Sequence, residues 1–110
     1  MKVVLLGRDL ITASRIAESL ARAASELRRV EDPAELPPAE SVDLLLVDWD
    51  DRRPEWGSRL TAWRTGAPDF AGPRVIVFGP HADLAAHADA RAAGLGPMWA
   101  RSKLFAELAK

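Results

Sequence analysis

Short apolar runs alternate with stretches in which apolar residues recur every three or four positions, and this alternation organises the whole chain. Val3-Val4-Leu5-Leu6 opens it, β-branched at the start and closed by Gly7, which predicts a strand buried on both faces. Asp9 stands where a helix N-cap belongs, and Ala13, Ile16, Ala17, Leu20 and Ala24 follow at helical spacing. They predict a helix from about Leu10 to Ser25. Leu27-Arg28-Arg29-Val30 is a weaker strand signal without clean alternation. From Asp32 to Ser41, three prolines (Pro33, Pro37 and Pro38) leave room for a helix of one or two turns only. Val42-Asp43-Leu44-Leu45-Leu46-Val47-Asp48 is the strongest strand, a hydrophobic run ended by a carboxylate.

Beyond Asp50 and Asp51, Pro54 suits a helix's first turn. Trp56, Leu60 and Trp63 then form one apolar stripe, with Gly66 and Pro68 as the stop. Arg74-Val75-Ile76-Val77-Phe78 is another apolar strand, closed by Gly79-Pro80. A helix from about Ala82 to Ala93 follows, with Leu84, Ala85, Ala88 and Ala92 expected inward and Gly94 as its end. Pro97-Met98-Trp99-Ala100 reads as a last strand, and Ser102 as the cap of a short helix carrying Leu104, Phe105 and Leu108. Apolar strands separated by helical patterns imply a parallel sheet covered on both faces. With right-handed crossovers the natural solution is a doubly wound, three-layer α/β/α sandwich. No repeat, low-complexity tract or linker divides the chain, so one domain spanning 1–110 is expected.

Composition narrows the function. The 110 residues carry 15 Lys+Arg against 16 Asp+Glu, a formal net charge of −1. That balance argues against a nucleic-acid or membrane-surface binder, which needs a positive field. Without cysteine, disulfides, thiol catalysis and cysteine-ligated zinc are excluded, and a cytoplasmic setting fits. No apolar run approaches the roughly 20 residues of a membrane helix. The first strand begins almost at Met1, so no signal peptide is expected. No G-x-G-x-x-G or Walker pattern occurs, and Ser14, Ser58 and Ser102 lack a nucleophile-elbow context. No cofactor is expected.

Five strand–helix units with Asp48 closing the third strand resemble the receiver domain of bacterial response regulators. Val42 to Asp48 carries the likeness, with Ala92-Ala93-Gly94 leading to the last strand and Ser102-Lys103-Leu104-Phe105 after it. The resemblance implies a five-stranded parallel flavodoxin-like sheet in the order 2-1-3-4-5, with the site at its carboxyl edge. It places Asp48 at the phosphate-accepting position. A receiver also uses an acidic pair after strand one to hold magnesium; here that slot reads Gly7-Arg8, and only the following Asp9 is acidic. The Ser or Thr slot after strand four holds Gly79, the aromatic slot on strand five holds Met98, and the Lys slot holds Arg101, with Ser102 where a Pro usually follows. Arg8 brings positive charge to the ion's place, which opposes cation binding. The expectation is that no metal binds and that Arg8, with or without Arg101, pairs with Asp48 in the ion's stead.

Each residue also has a plainer reading. Asp48 can be a turn or cap residue; Asp50 and Asp51 can cap the next helix or join Asp48 around a cation. Asp9 is a cap before it is a ligand, and Arg8 is a site residue or a solvated charge. Trp56 and Trp63 belong to the core. Trp49 reads as a partly buried loop aromatic flanking the site, or as a partner anchor. His81 and His87 do not share a helix face and lack metal spacing.

The first functional expectation is a stand-alone degenerate receiver, a signalling module that binds an unknown protein partner independently of phosphate. The sequence ends at Lys110, so no output domain is expected. Its interaction face would include Leu84, Trp99, Leu104 and Phe105, and a homodimer through that face is one form of the partner. The alternative is a residual aspartyl-phosphate switch at Asp48 using Arg101. The third is a small enzyme on the same sheet using Asp48 and His81 as an acid–base pair.

Overall fold

The computed structural model describes residues 1–65 and 73–109. Its elements are β1 (Lys2–Leu6), α1 (Leu10–Ala21), β2 (Glu26–Val30), β3 (Leu44–Asp48), α2 (Trp56–Arg64), β4 (Arg74–Gly79), α3 (Leu84–Ala92), β5 (Trp99–Ala100) and α4 (Arg101–Leu108). The strands form one parallel sheet in the order β2-β1-β3-β4-β5, the order the resemblance implied. Between β2 and β3 the chain makes two 3₁₀ turns, Pro33–Glu35 and Ala39–Ser41, in place of a helix, as three prolines in ten residues require.

Alternate residues of the central strands bury opposite faces of the sheet. Val4, Leu6, Leu45, Val47 and Val77 pack beneath α2 and α3 with Trp56, Leu60, Ala86 and Ala90. Val3, Leu5, Leu44, Leu46, Ile76 and Phe78 pack beneath α1 and α4 with Ile16, Leu20 and Leu104. This two-sided burial explains why the strand signals were continuous apolar runs. It also makes the carboxyl edge of β1, β3 and β4 a fixed platform.

Several boundaries and one helix phase differ from expectation. The first helix stops at Ala21, four residues short of Ser25. The amide of Ser25 donates back to the Leu20 carbonyl at 3.0 Å, and Ala24 takes φ 57°, the left-handed closure that favours glycine. Ala24→Gly is therefore expected to raise the urea midpoint, by about 0.5–1 kcal/mol of stability. The fourth predicted helix has the wrong phase: Ala86 and Ala90 face inward, while Leu84 is 82% exposed. Asp83 caps this helix through the Ala86 amide, and an alanine-rich segment offers too little contrast to fix which face is buried. Gly94 does end it, with φ 72°. Ser102 caps nothing: α4 starts at Arg101, and Ala100 holds the cap position without a side-chain bond. The predicted stop at Gly66 and Pro68 lies outside the described residues.

Candidate functional site

The carboxyl ends of β1, β3, β4 and β5 meet around Asp48. As the last residue of β3, Asp48 is held opposite Phe78 of β4 and is 2% exposed. Its Oδ1 accepts the Asp50 amide at 3.2 Å, closing a 3₁₀ turn over Trp49–Asp51. Asp48 thus caps this turn, in line with its plainer reading. Gly7 makes room for this carboxylate: a Cβ on it would lie 2.8 Å from the Asp48 Cβ. An acidic side chain in that slot could not share the space without moving Asp48.

The cation at Asp48 is Arg101. One guanidinium nitrogen donates to both oxygens, at 3.0 Å to Oδ1 and 3.1 Å to Oδ2, and the other terminal nitrogen donates to Asp50 Oδ2 at 2.7 Å. The guanidinium also lies 5.4 Å above the buried Phe78 ring. Arg101 comes from the first residue of α4, so the contact ties the β5–α4 junction to the end of β3.

Arg8 does not fill the predicted role. Its backbone amide donates to Asp51 Oδ2 at 2.8 Å, and its side chain, 61% exposed, turns away to Glu31 at 3.4 Å. The physical reason lies on the neighbouring strand. Glu31 follows β2 and attracts both Arg8 and Arg29, while Arg29 also donates to the Gly7 carbonyl at 3.2 Å. Arg29 was not singled out from the sequence, and the only signal was an arginine pair inside a strand pattern. Asp51 was read as a cap or cation ligand, yet it serves as acceptor for the β1–α1 loop.

The remaining slots are filled by packing. A Cβ on Gly79 would lie 3.3 Å from the Trp49 Cβ and 3.4 Å from the Met98 sulfur. Trp49 is buried, against the expectation of a partly exposed aromatic, because its indole N–H reaches the Ala86 carbonyl at 3.0 Å beneath α3. Met98 is buried beside it. Asp9 caps α1, accepting the amides of Ile11 and Thr12 and the Thr12 hydroxyl. On the proposed interaction face, Leu104 is fully buried and Phe105 is covered by Arg15, 3.9 Å above its ring. Trp99 is half-buried, with Arg74 at 5.9 Å and Lys103 at 4.5 Å from its ring. His81 is exposed, and its carbonyl is 2.7 Å from His87 Nε2. Asp48's described hydrogen-bond partners are Arg101 and the Asp50 amide, and His81 is not among them.

Burial pushes Asp48 up to about 6, against the pull of Arg101 and with a further push from Asp51 and Asp50. Thr12 holds Asp9 below its ordinary value through its hydroxyl and amide bonds. At neutral pH the pocket therefore holds an ionised Asp48 against a charged Arg101.

No family model and no curated protein matches the chain. Solved structures do. The phosphorylated cyanobacterial phytochrome response regulator RcpA aligns with TM-score 0.71 at 18% identity, over 98% of this chain and 88% of that one. A response regulator protein from Burkholderia multivorans aligns with TM-score 0.66 at 20% identity, over 99% and 94%. The receiver domain of Ssk1, solved with the Saccharomyces cerevisiae histidine phosphotransfer protein Ypd1, aligns with TM-score 0.63 at 12% identity, over 99% and 88%. The fold is thus the receiver fold.

The divalent ion this fold implies does not fit the residues present. Among the described residues no group of three or more potential ligating side chains is assembled. Asp48 faces a guanidinium, Asp9 is engaged by α1, and Asp51 accepts from Arg8. Among the described residues no helix is long and apolar enough to cross a membrane.

Proposed function

We propose that this chain is a degenerate receiver that acts in the cytoplasm through protein contacts, independently of phosphate. The observation that carries this reading is the Arg101 guanidinium straddling both Asp48 oxygens while also binding Asp50. Phosphoryl transfer to a carboxylate requires a free attacking oxygen and a cation that neutralises the crowded charge. Here both oxygens are occupied and the neutralising charge is built in. A phosphoryl group would add roughly two negative charges beside Asp50 and Asp51, with Gly79 offering no hydroxyl to bond it.

The reading is of a binding module rather than an enzyme. An open groove between α2 and α3 is lined by Trp49, Arg53, Gly57, Thr61 and Ala93, and Asp48 is not part of its lining. The half-buried Trp99 between Arg74 and Lys103 is the anchor proposed for a protein partner, since Trp and Arg dominate binding hot spots. Light scattering separates a monomer that awaits another protein from a self-paired dimer.

Incubation with acetyl phosphate and magnesium at neutral pH, followed by intact-mass spectrometry, tests the reading. The expected result is no gain of a phosphoryl group. A stoichiometric adduct that disappears in Asp48→Asn would overturn it and favour a residual aspartyl-phosphate switch supported by Arg101.

A further inference from the structure

Asp48 is the one buried carboxylate among the described residues, and the charges around it are unbalanced. From α4 it faces Arg101. From the turn after β3 it faces Asp50 and Asp51. Asp9 lies across the β1–α1 loop, within electrostatic reach of Arg101. Arg8 and Arg29 approach from the β1 and β2 side, but their side chains are directed to Glu31 and the Gly7 carbonyl. Phe78, opposite Asp48 on β4, and Gly79 and Met98 beside the following turn carry no charge. One guanidinium therefore balances a buried carboxylate that has two more carboxylates beside it. Such a group holds a proton more tightly than a solvated one.

The contact that a proton would remove is a mechanical one. β5 is two residues long and pairs with β4 only through Phe78 opposite Trp99 and Gly79 opposite Ala100. Ala100 caps α4 with no side-chain bond. Arg101 is thus the polar tie that holds this junction to β3, and Trp99 stands two residues before it. Leu104, fully buried, anchors the rest of α4, so loosening would be confined to residues 99–101.

We propose that a proton on Asp48 is the input to this domain: it releases Arg101 from the buried carboxylate to the exposed Asp50 and changes the surface around Trp99. No covalent step is involved; the proton comes from solvent and returns to it. The proposal rests on the phosphate-independent reading above and gives that pocket its signal.

The test is NMR of the full chain between about pH 7.5 and 4.5, following the Asp48 side-chain carboxyl carbon and the amides of Trp99, Ala100 and Arg101. Asp48→Asn identifies which of the changes come from Asp48. The expected result is one shared midpoint near 6, with the three amides of Asp48→Asn fixed at the acid positions at every pH. Asp51→Asn, which removes a neighbouring negative charge, is expected to lower the shared midpoint. Amides that stay still while Asp48 titrates, or an Asp48 carboxyl carbon that shows no midpoint within this range, would overturn the proposal. Failure in that form leaves the absence of a phosphoryl adduct intact, whereas an adduct would remove the reading on which the proposal stands.

Discussion

Arg101→Met is expected to cost about 2 kcal/mol of stability at about pH 7.5 and to regain most of it in mild acid. Breaking a buried ion pair by deleting one partner typically costs about 3–5 kcal/mol, because the other charge remains buried and uncompensated. Arg101 is 32% exposed, so solvent reaching the vacated space reduces that figure. What remains is Asp48 with Asp50 and Asp51 and no cation in contact. Its carboxyl is pushed further above the value of about 6 that it has beside Arg101. A folded-state value raised above the unfolded one means that the folded state binds the proton more tightly, so the penalty is full above the raised value and disappears as the pH falls below it. Urea unfolding at about pH 7.5 and 5 reads both effects. An equal loss at the two pH values would point instead to lost packing on Phe78.

Asp48→Asn is expected to act in the opposite direction and raise stability at neutral pH. The lift of Asp48 from 3.8 to about 6 corresponds to about 3 kcal/mol that folding spends on keeping this carboxylate ionised. The sign follows from proton linkage. Between these two values the folded chain binds more protons than the unfolded one, so this group's contribution falls as pH rises and levels off above about 6. Asparagine removes the charge, but its amide nitrogen turns a donor towards Arg101, so a net gain of about 1–2 kcal/mol is expected. In a domain of 110 residues that is a rise in melting temperature of about 4–9 °C. The rise should be largest above about pH 6, vanish near about pH 5 and turn into a small loss near about pH 4. The double variant Asp48→Asn with Arg101→Met should recover most of the loss of Arg101→Met alone, since the two residues form one unit. Additive effects would mean that they do not act on each other.

The sheet and its order could be read from the sequence because the strands are buried on both faces. Val3–Leu6, Leu44–Val47 and Val75–Phe78 leave little alternative to a parallel, doubly covered sheet. Asp48 was readable for the same reason, as a carboxylate at the end of such a run. The choice between Arg8 and Arg101 was not. Both are arginines in site slots, and what decides is Glu31, which draws Arg8 outwards from a position 23 residues further along the chain. The burial of Trp49 was likewise hidden, because its partner is a backbone carbonyl on α3 and carbonyls leave no trace in sequence. The phase of α3 failed because alanines on all sides of a helix give no stripe to follow.

Every effect above depends on Arg101 being the cation of the Asp48 pocket. Relaxation of amide resonances during titration with paramagnetic Mn²⁺ tests this most directly. If Arg101 holds the place, broadening should be weak, unsaturable and no greater at residues 7–9 and 48–51 than at other exposed acidic positions. Saturable broadening centred on Asp48 and Asp9 would contradict it.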